Sequence, residues 1–325
     1  MHAVSSIPCL PAAAETPLGA EVYRGLTSMP KTLSPWLFYD QRGSELFEAI
    51  TELPEYYLTR IEHAIFARHG DAMLAAAGAP ELAVIELGAG TAAKTTVLLE
   101  AATRYCTRVR YYPIDISASA LGEARRNIGE RAPQVHVEER VADYTQDMSA
   151  IPAARGKRLV LYIGSSIGNF EPAEAAHLLR SLRRRLAPGD LLLLGVDHGK
   201  ERSVLLRAYN DAAGVTAEFN RNVLVRVNRE LSGGFRPGLF RHRAVWNERE
   251  SRIEMHLESL ITQAVPIRDL GLTVDFRRGE SIHTENSYKF TPESAARLLE
   301  RGGFAVRQAW TDARRWFGVY LAEAA

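Results

Sequence analysis

Short apolar runs alternate with amphipathic helical stretches through the middle of the chain, from about residue 83 onward. Continuous apolar runs of this length are typical of strands that are buried on both faces. Because helical stretches separate them, the order predicts a parallel sheet covered by helices on both sides. The predicted strands are LAVIELGAGT, VRYYPIDIS, QVHVEERVADY, KRLVLYIGSSIGNF and GDLLLLGVD.

The C-terminal part predicts one helix, TPESAARLLERGGF, and two closely spaced strands, AVRQAWTD and WFGVYLAEA. Strands this close together predict an antiparallel hairpin at the end of an otherwise parallel sheet. The predicted fold class is therefore α/β: a Rossmann-like, seven-stranded, mostly parallel sheet with a terminal antiparallel hairpin. This arrangement resembles the class I S-adenosylmethionine (SAM) methyltransferases.

Two segments lie outside this pattern, residues 1–60 and 200–287. The second contains a helical stretch, SVLLRAYNDAAGVTAEFNRNVLVRVNREL, and a β-ribbon, HRAVWNERESRIEMHLESLITQAVPI, with a turn at NERES. We predict that these segments form a second, α+β, substrate-binding lobe, and that residues 61–199 and 288–325 form the methyltransferase domain. The N-terminal stretch MHAVSSIPCLPAAAETPLGAEV lacks a basic region and predicts a loose leader, not a signal peptide.

The composition is that of a globular protein, with 46% hydrophobic and 24% charged residues among 325. Forty basic and thirty-nine acidic residues leave a net charge of +1, which gives no indication of a nucleic-acid or acidic-membrane partner. The two cysteines and nine scattered histidines have no metal-type spacing, so no metal site is predicted. No apolar run approaches the roughly 20 residues of a membrane-spanning helix. A cytoplasmic monomer is expected.

A glycine turn follows the first predicted strand, in ELGAGTAAKT. Gly88 and Gly90 let the chain turn sharply and let a ligand approach the backbone. The string Gly88-x-Gly90-x-x-Ala93 also fits a dinucleotide fingerprint, so the turn alone does not separate SAM from a nicotinamide cofactor. Glu86, before the glycines, favours SAM. Asp115, at the end of the next strand, is placed to accept the ribose hydroxyls of either ligand.

Further candidate cofactor contacts lie in ADYTQD, at the end of the third predicted strand. Asp143 is placed to accept from an adenine amino group, and Tyr144 to pack on the ring. Lys94 either reaches the carboxylate of the SAM methionine or is solvated. With Gly88 and Asp115, these residues form the predicted SAM site.

The chain contains seven strings between residues 38 and 290 that fit one known family: FYDQRGSELFEAITELPEYYLTR, IELGAGTAAKT, YYPIDIS, GSSIGNF, AYNDAAGVTAEFNRNVLVRVNREL, RIEMHLES and TENSYKF. They resemble the histidine Nα-methyltransferases of ergothioneine biosynthesis, and the terminal strands also fit that family. The resemblance implies an enzyme that moves three methyl groups, one at a time, from SAM to the α-amino nitrogen of free L-histidine. The product is the betaine hercynine.

The resemblance also implies roles for individual residues near the reacting nitrogen. Tyr56, Asn169 and Tyr209 match residues that hold the backbone groups of the amino acid. Asn169 follows the fourth strand, where methyltransferases usually meet the substrate nitrogen. Tyr39 and Phe47 match aromatic residues whose rings would favour the growing positive charge. Tyr39 is also a candidate proton relay.

The polar stretch TENSYKF is the predicted specificity element. The resemblance implies that Glu285 and Ser287 grip the imidazole, with Met255 nearby and Asn286 among the substrate-binding residues. A carboxylate can accept from one imidazole nitrogen while a hydroxyl donates to the other. Side chains two residues apart in an extended segment point to the same side. Lys289 and Tyr288 are expected to support them.

Three other functions remain open from the sequence. A methyltransferase acting on another amine, such as a tryptophan derivative, would favour an apolar residue at position 285. A nicotinamide oxidoreductase would need a hydride-handling histidine or lysine site, and a non-catalytic SAM-binding module would show no turnover. One departure from the family pattern is His198-Gly199, which stands where an apolar pair is expected.

Overall fold

The computed structural model describes residues 11–325, and the first ten residues of the predicted leader, with Cys9, lie outside the described residues. The described chain forms two compact units, called unit 1 and unit 2 below. Unit 1 comprises residues 11–47, Asn210–Val245 and Glu254–Glu285, and unit 2 comprises Glu48–Tyr209, Trp246–Ile253 and Asn286–Ala325.

The helices and strands of residues 11–325 are numbered in chain order. The α-helices are α1 (Pro17–Thr27), α2 (Gln41–Thr51), α3 (Tyr57–Ala77), α4 (Thr96–Tyr105), α5 (Ala118–Arg131), α6 (Pro172–Arg183), α7 (Arg202–Ala208), α8 (Val215–Leu231) and α9 (Pro292–Arg301). The strands are β1 (Lys31–Thr32), β2 (Glu81–Leu87), β3 (Arg108–Asp115), β4 (His136–Val137), β5 (Arg140–Val141), β6 (Lys157–Tyr162), β7 (Leu191–Asp197), β8 (Phe240–Asn247), β9 (Arg252–Ser259), β10 (Gln263–Ile267), β11 (Leu272–Phe276), β12 (Ser281–Tyr288), β13 (Phe304–Thr311) and β14 (Phe317–Ala324).

Unit 2 contains the predicted sheet, in the order β13-β14-β7-β6-β2-β3-β4, with β5 also pairing with β3. The strands from β7 to β4, and β5, run parallel. Strand β14 is antiparallel to both β7 and β13. The predicted mostly parallel sheet of seven positions with a terminal antiparallel hairpin is therefore confirmed.

The central strands are stabilised by apolar residues on both faces. Every residue of β7 is buried, and Leu192, Leu193 and Leu194 have no exposed surface. Burying one such side chain contributes about 1.5–3 kcal/mol. The carboxyl ends of these parallel strands carry polar residues, and ligands of open α/β sheets bind at such ends.

The predicted third strand, QVHVEERVADY, is wrong as a continuous element. It forms two strands of two residues each, β4 and β5. Glu138 and Glu139 lie between them, and Glu139 accepts a hydrogen bond from Arg125 Nε at 2.5 Å. The interruption is short, because Glu138 N still donates to the Tyr111 carbonyl oxygen of β3 at 2.9 Å.

The prediction of a loose leader is wrong for the residues from Pro17 onward, which form α1. The Thr16 side chain caps this helix, accepting from Gly19 N at 3.0 Å, and Pro17 occupies the first helical position. Val22 and Leu26 are buried. The helix is therefore part of the core of unit 1.

Unit 1 is built on the sheet β1-β12-β9-β8 and the hairpin of β10 and β11. The predicted ribbon is confirmed as β8 and β9, with the NERES turn between them. Phe240 and Phe276 meet edge to face, with ring centroids 5.3 Å apart. No helix within residues 11–325 is both long and apolar enough to cross a membrane.

Candidate active site

The glycine turn after β2 brings Gly90 to Asp115 in unit 2. Gly88 and Gly90 have φ angles of 70° and 52°, the left-handed region that glycine favours. Gly90 N donates to Asp115 Oδ2 at 2.9 Å, and Ser117 N donates to Oδ1 at 2.9 Å. Burial raises the pKa of Asp115, while these amides oppose the shift. The carboxylate at the end of β3 is therefore held in one orientation.

Tyr144 packs against the same turn. A Cβ added at Gly88 would lie 3.5 Å from the Tyr144 hydroxyl, and the Tyr144 ring meets that of Tyr162 edge to face at 5.8 Å. Burial raises the pKa of Tyr144 to about 12. The preceding Asp143 accepts from the main-chain nitrogen and hydroxyl of Thr145 at 2.9 and 2.6 Å. The predicted cofactor residues thus gather around the ends of β2, β3 and β5.

Lys94 has a partner that the sequence did not indicate. Its Nζ lies 2.7 Å from Oε2 of Glu62, a fully buried glutamate of α3. Gly164 N, after β6, donates to both oxygens of Glu62 at 2.8 and 3.0 Å. A glutamate on an amphipathic helix normally predicts a solvated face, so only the packing reveals Glu62. The pair places an ammonium and a carboxylate beside the glycine turn.

Glu86 is buried beneath the glycine turn. Its Oε1 accepts from Thr95 Oγ1 at 2.7 Å, and its Oε2 accepts from the Tyr111 hydroxyl. Burial raises the pKa of Glu86 to about 7, although both hydroxyls oppose the shift. Ionisation of this carboxyl group therefore weakens the fold near neutral pH.

Replacing Glu86 with glutamine is expected to flatten the pH dependence of stability. The folded-state pKa of Glu86 lies above that of the unfolded chain, so the contribution of this group to stability is fully present below about pH 4.5 and is lost as pH rises to about 7. The shift corresponds to about 3 kcal/mol. Between pH 5 and pH 8, urea unfolding should show that the free energy of unfolding falls by about 2–3 kcal/mol more in the wild type than in Glu86→Gln. Glu81→Gln, at the half-exposed start of the same strand, is the control. The raised pKa of Glu86 would be contradicted if the wild type and Glu86→Gln lost the same free energy of unfolding between pH 5 and pH 8.

Asn169 ends a 3-10 turn, Ser166–Asn169, that follows β6. A Cβ at Gly168 would lie only 2.9 Å from the Tyr288 carbonyl oxygen, so this turn packs against the end of β12. Ser165 Oγ accepts from Asp197 N at 2.9 Å. Asn169 is therefore held by contacts of its turn with the ends of β7 and β12.

Tyr56, Tyr209 and Ser287 form one cluster in unit 2. Tyr209 Oη and Ser287 Oγ are 2.7 Å apart, and the rings of Tyr56 and Tyr209 meet at 6.4 Å. Lys289 Nζ donates to Tyr209 Oη at 2.9 Å and to Ser287 Oγ at 2.8 Å. The structure thus brings together three predicted substrate-binding residues, two of which accept from the Lys289 ammonium.

A buried ionic network lies behind this cluster, and sequence reasoning missed its centre, Asp197. Lys289 Nζ is 2.9 Å from Asp197 Oδ2, Lys200 pairs with Oδ1, and Tyr57 donates to Oδ2 at 2.8 Å. Burial alone would raise the pKa of Asp197, but the charges of Lys289 and Lys200 lower it. Burial lowers the pKa of Lys200 to about 8. The available signal was a charged residue closing the otherwise apolar strand GDLLLLGVD.

Asn286 is engaged by a different group in unit 2. Its Nδ2 donates to Glu171 Oε1 at 3.1 Å, and the same carboxylate accepts from Tyr288 and Arg252 at 2.5 and 2.6 Å. Asn286 Oδ1 is buried without a hydrogen-bond partner among residues 11–325. Substrate binding by Asn286 stays a prediction.

Tyr39 and Phe47 belong to an aromatic cluster in unit 1. Their ring centroids are 5.8 Å apart, and each lies about 6 Å from the ring of Phe219 on α8, at 5.9 and 6.0 Å. Asp40, next to Tyr39, accepts from Asn222 Nδ2 at 2.7 Å and pairs with Arg229 at 2.8 Å. Helix α8 therefore fixes the segment that carries the two predicted aromatic residues.

Glu285 and Met255 lie on β12 and β9 of unit 1. Met255 is 2% exposed, and its carbonyl oxygen accepts from Thr284 Oγ1 at 3.0 Å. Glu285 is half-buried. The alternation of buried and half-buried residues along β12 shifts by one between Glu285 and Asn286. That Glu285 and Ser287 point to the same side therefore stays a prediction.

His198, the departure from the family pattern, is a packed residue of unit 2. Its ring nitrogens lie 3.0 Å from Tyr320 Oη and 3.0 Å from the Arg315 carbonyl oxygen. A Cβ at Gly318 would lie 2.5 Å from His198 Nε2, so Gly318 leaves the room that the imidazole fills. Position 198 is thus accommodated by local packing.

Comparison with known proteins gives a consistent result. The profile of the histidine-specific, SAM-dependent methyltransferases matches residues 18–324. The chain is 46% identical over 305 residues to histidine N-alpha-methyltransferase of Mycolicibacterium smegmatis, and the match covers 94% of both chains. It is 42% identical to the Mycobacterium tuberculosis protein of that name, again over 94% of both. Ergothioneine biosynthesis protein 1 of Neurospora crassa is 32% identical over 90% of this chain and 33% of its own length.

Proposed function

Because the chain belongs to the histidine-specific, SAM-dependent methyltransferase family, we propose that it trimethylates the α-amino nitrogen of free L-histidine to give hercynine, for ergothioneine biosynthesis. The observation that carries this proposal is 46% identity over 94% of both chains to a histidine N-alpha-methyltransferase. Family membership also removes the nicotinamide oxidoreductase alternative.

The residues around the glycine turn fit SAM chemically. The carboxylates of Asp115 and Asp143 suit ribose hydroxyls and an adenine amino group, with Tyr144 against the ring. The Lys94 ammonium and the Glu62 carboxylate suit the two charged ends of the methionine part. SAM supplies an electrophilic methyl group on a sulfonium. We assign these residues to holding it, and Gly88 to giving it room.

The histidine substrate offers an α-amine, a carboxylate and an imidazole. We assign Tyr56, Asn169 and Tyr209 to the amino-acid backbone, because hydroxyls and an amide can bind it without adding a competing charge. Tyr39 and Phe47 would lie near the amine, where aromatic rings favour the cation that forms. Tyr39 is the candidate to carry away a proton between transfers, since the amine must lose one before each further methylation.

Glu285 and Ser287 are assigned to the imidazole. A glutamate accepts the imidazole N–H, and a hydroxyl donates to the other nitrogen. The Lys289 ammonium can only donate, so it orients the lone pairs of Ser287 and Tyr209. If Tyr209 donates to Ser287 across 2.7 Å, the Ser287 proton is directed elsewhere, and we assign it to the imidazole.

We retain residues 1–60 and 200–287 as the substrate lobe and residues 61–199 and 288–325 as the SAM domain.

The proposal is tested with purified protein, SAM and three candidate acceptors. L-Histidine is expected to give three equivalents of S-adenosylhomocysteine and a product heavier by three methyl groups. Nα-acetylhistidine lacks the reactive amine and should give no product, and histamine lacks the carboxylate and should react far more slowly. Equal rates with histamine would contradict the roles of Tyr56, Asn169 and Tyr209. No reaction with histidine would contradict the function itself.

A further inference from the structure

Three potential metal ligands lie together on the sheet of unit 1, on the two strands that also carry Met255 and Glu285. Glu254 and His256 are two residues apart on β9, and His283 lies on the neighbouring strand β12. One donor atom from each side chain lies within 4.8 Å of the others. The His256 and His283 rings are stacked, with centroids 4.8 Å apart and planes inclined by 26°.

These side chains occupy the opposite face of the sheet from Met255 and Thr284. Met255 lies between Glu254 and His256 and is 2% exposed, and Thr284 follows His283 and is 1% exposed. Successive residues of a strand point to opposite faces. The cluster is half-buried, with 15% of the Glu254 side chain and 18% of the His256 side chain exposed. An ion could therefore reach it from solvent.

The hydrogen bonds select the imidazole tautomers that a metal ion binds. His283 Nε2 lies 3.0 Å from the Glu285 carbonyl oxygen, which can only accept, so Nε2 carries the proton. His256 Nε2 lies 3.2 Å from Glu254 Oε2, close to the separation of two ligand atoms on one Zn²⁺ ion, so an ion can take the place of the proton between them. In this arrangement His283 offers Nδ1 and His256 offers Nε2. Metal-binding histidines usually donate their second N–H to a carbonyl or carboxylate, as His283 does to Glu285.

The second nitrogen of His256, Nδ1, is buried and has no hydrogen-bond partner among the atoms of residues 11–325, which leaves Nε2 as the nitrogen that faces Glu254. The neighbouring cation Arg243 is neutralised by Glu258, at 2.9 Å.

We propose that Glu254, His256 and His283 bind a divalent transition-metal ion of the Zn²⁺ type. Two imidazoles and one carboxylate are ligands that such ions accept, with water completing the coordination. Ligand atoms around Zn²⁺ lie about 2.0–2.2 Å from the ion. Side-chain rotations that move each donor atom by about 1 Å would bring the three atoms to these distances. Bound metal would fix His283 and, through it, the main-chain carbonyl of Glu285.

The test uses full-length, tag-free protein with Zn²⁺, and with Co²⁺ as the spectroscopic probe. One equivalent of Zn²⁺ should bind in competition with a chromophoric chelator and raise the Tm, and Co²⁺ should give visible d–d bands. His256→Gln and His283→Gln should each weaken Zn²⁺ binding by at least about 10-fold and remove the Co²⁺ bands. Circular dichroism of the metal-free variants checks that both are folded.

His136→Gln is the matched control, because His136 also lies beside a glutamate, with Nε2 3.5 Å from Glu138 Oε1, but on an exposed edge. Its Zn²⁺ affinity should equal that of the wild type. The proposal is overturned if the wild type binds no ion saturably. It is equally overturned if folded His256→Gln and His283→Gln bind Zn²⁺ as the wild type does. Neither outcome depends on methyltransferase activity.

Discussion

Replacing Glu285 with alanine is expected to lower kcat/KM for L-histidine by at least about 100-fold, while the Kd for SAM stays within about twofold of the wild type. Losing a hydrogen bond to a charged acceptor costs about 1.5–3 kcal/mol, and a buried imidazole N–H left unpaired adds about 1–3 kcal/mol. The cofactor residues lie around the ends of β2, β3 and β5, so SAM binding should survive. Initial rates of S-adenosylhomocysteine formation and calorimetric titration with SAM measure the two quantities.

Glu285→Gln is the informative companion variant. It keeps the side-chain length and one acceptor oxygen but removes the charge, so its rate should fall between those of the wild type and Glu285→Ala. Normal methylation of histidine by Glu285→Ala would mean that Glu285 does not read the imidazole. A parallel loss of SAM affinity would instead indicate a general structural role.

The buried network around Asp197 gives the second large effect. Asp197→Asn leaves the lysines Lys200 and Lys289 buried without their anion, and breaking such an arrangement costs about 3–5 kcal/mol of stability. Lys289→Met leaves Asp197 paired with Lys200, so it should destabilise less. It removes the donor to Tyr209 and Ser287, however, and should lower kcat/KM for histidine by about 10- to 100-fold.

The two variants therefore separate stability from substrate binding. Urea unfolding should show a lower free energy of unfolding for Asp197→Asn than for Lys289→Met. Steady-state kinetics on folded protein should show the lowered kcat/KM for histidine in Lys289→Met. A Lys289→Met enzyme with unchanged kinetics would contradict the role of the lysine in orienting the two hydroxyls. Equal stability of the two variants would contradict the charge arrangement.

The sheet was predictable because its strands carry their own signal. Continuous apolar runs such as that of β7 need burial on both faces, and the helices between them fix parallel connections. The third strand failed where Glu138 and Glu139 interrupt that signal. The helix α1 was missed although Thr16 and Pro17 are ordinary start signals, because the apolar stretch before them was interpreted as a leader.

The candidate site was predictable only where a suitable residue type lies in a string that resembles a known family, as in TENSYKF and the glycine turn. Glu62 and Asp197 carry no such string, and tertiary packing alone distinguishes a buried carboxylate from a solvated one. The triad of Glu254, His256 and His283 was missed for a related reason. Its members come from two strands that are adjacent in the sheet but distant in sequence, so no ligand spacing exists to find.

The central claim, that this chain methylates the α-amine of free histidine, is tested most directly by mass spectrometry. Purified protein is incubated with SAM and an equimolar mixture of the twenty amino acids. The account predicts that histidine alone becomes heavier, by three methyl groups. Methylation of another amino acid in its place would contradict the assignment of Glu285 and Ser287 to an imidazole, and an unchanged mixture would contradict the proposed activity.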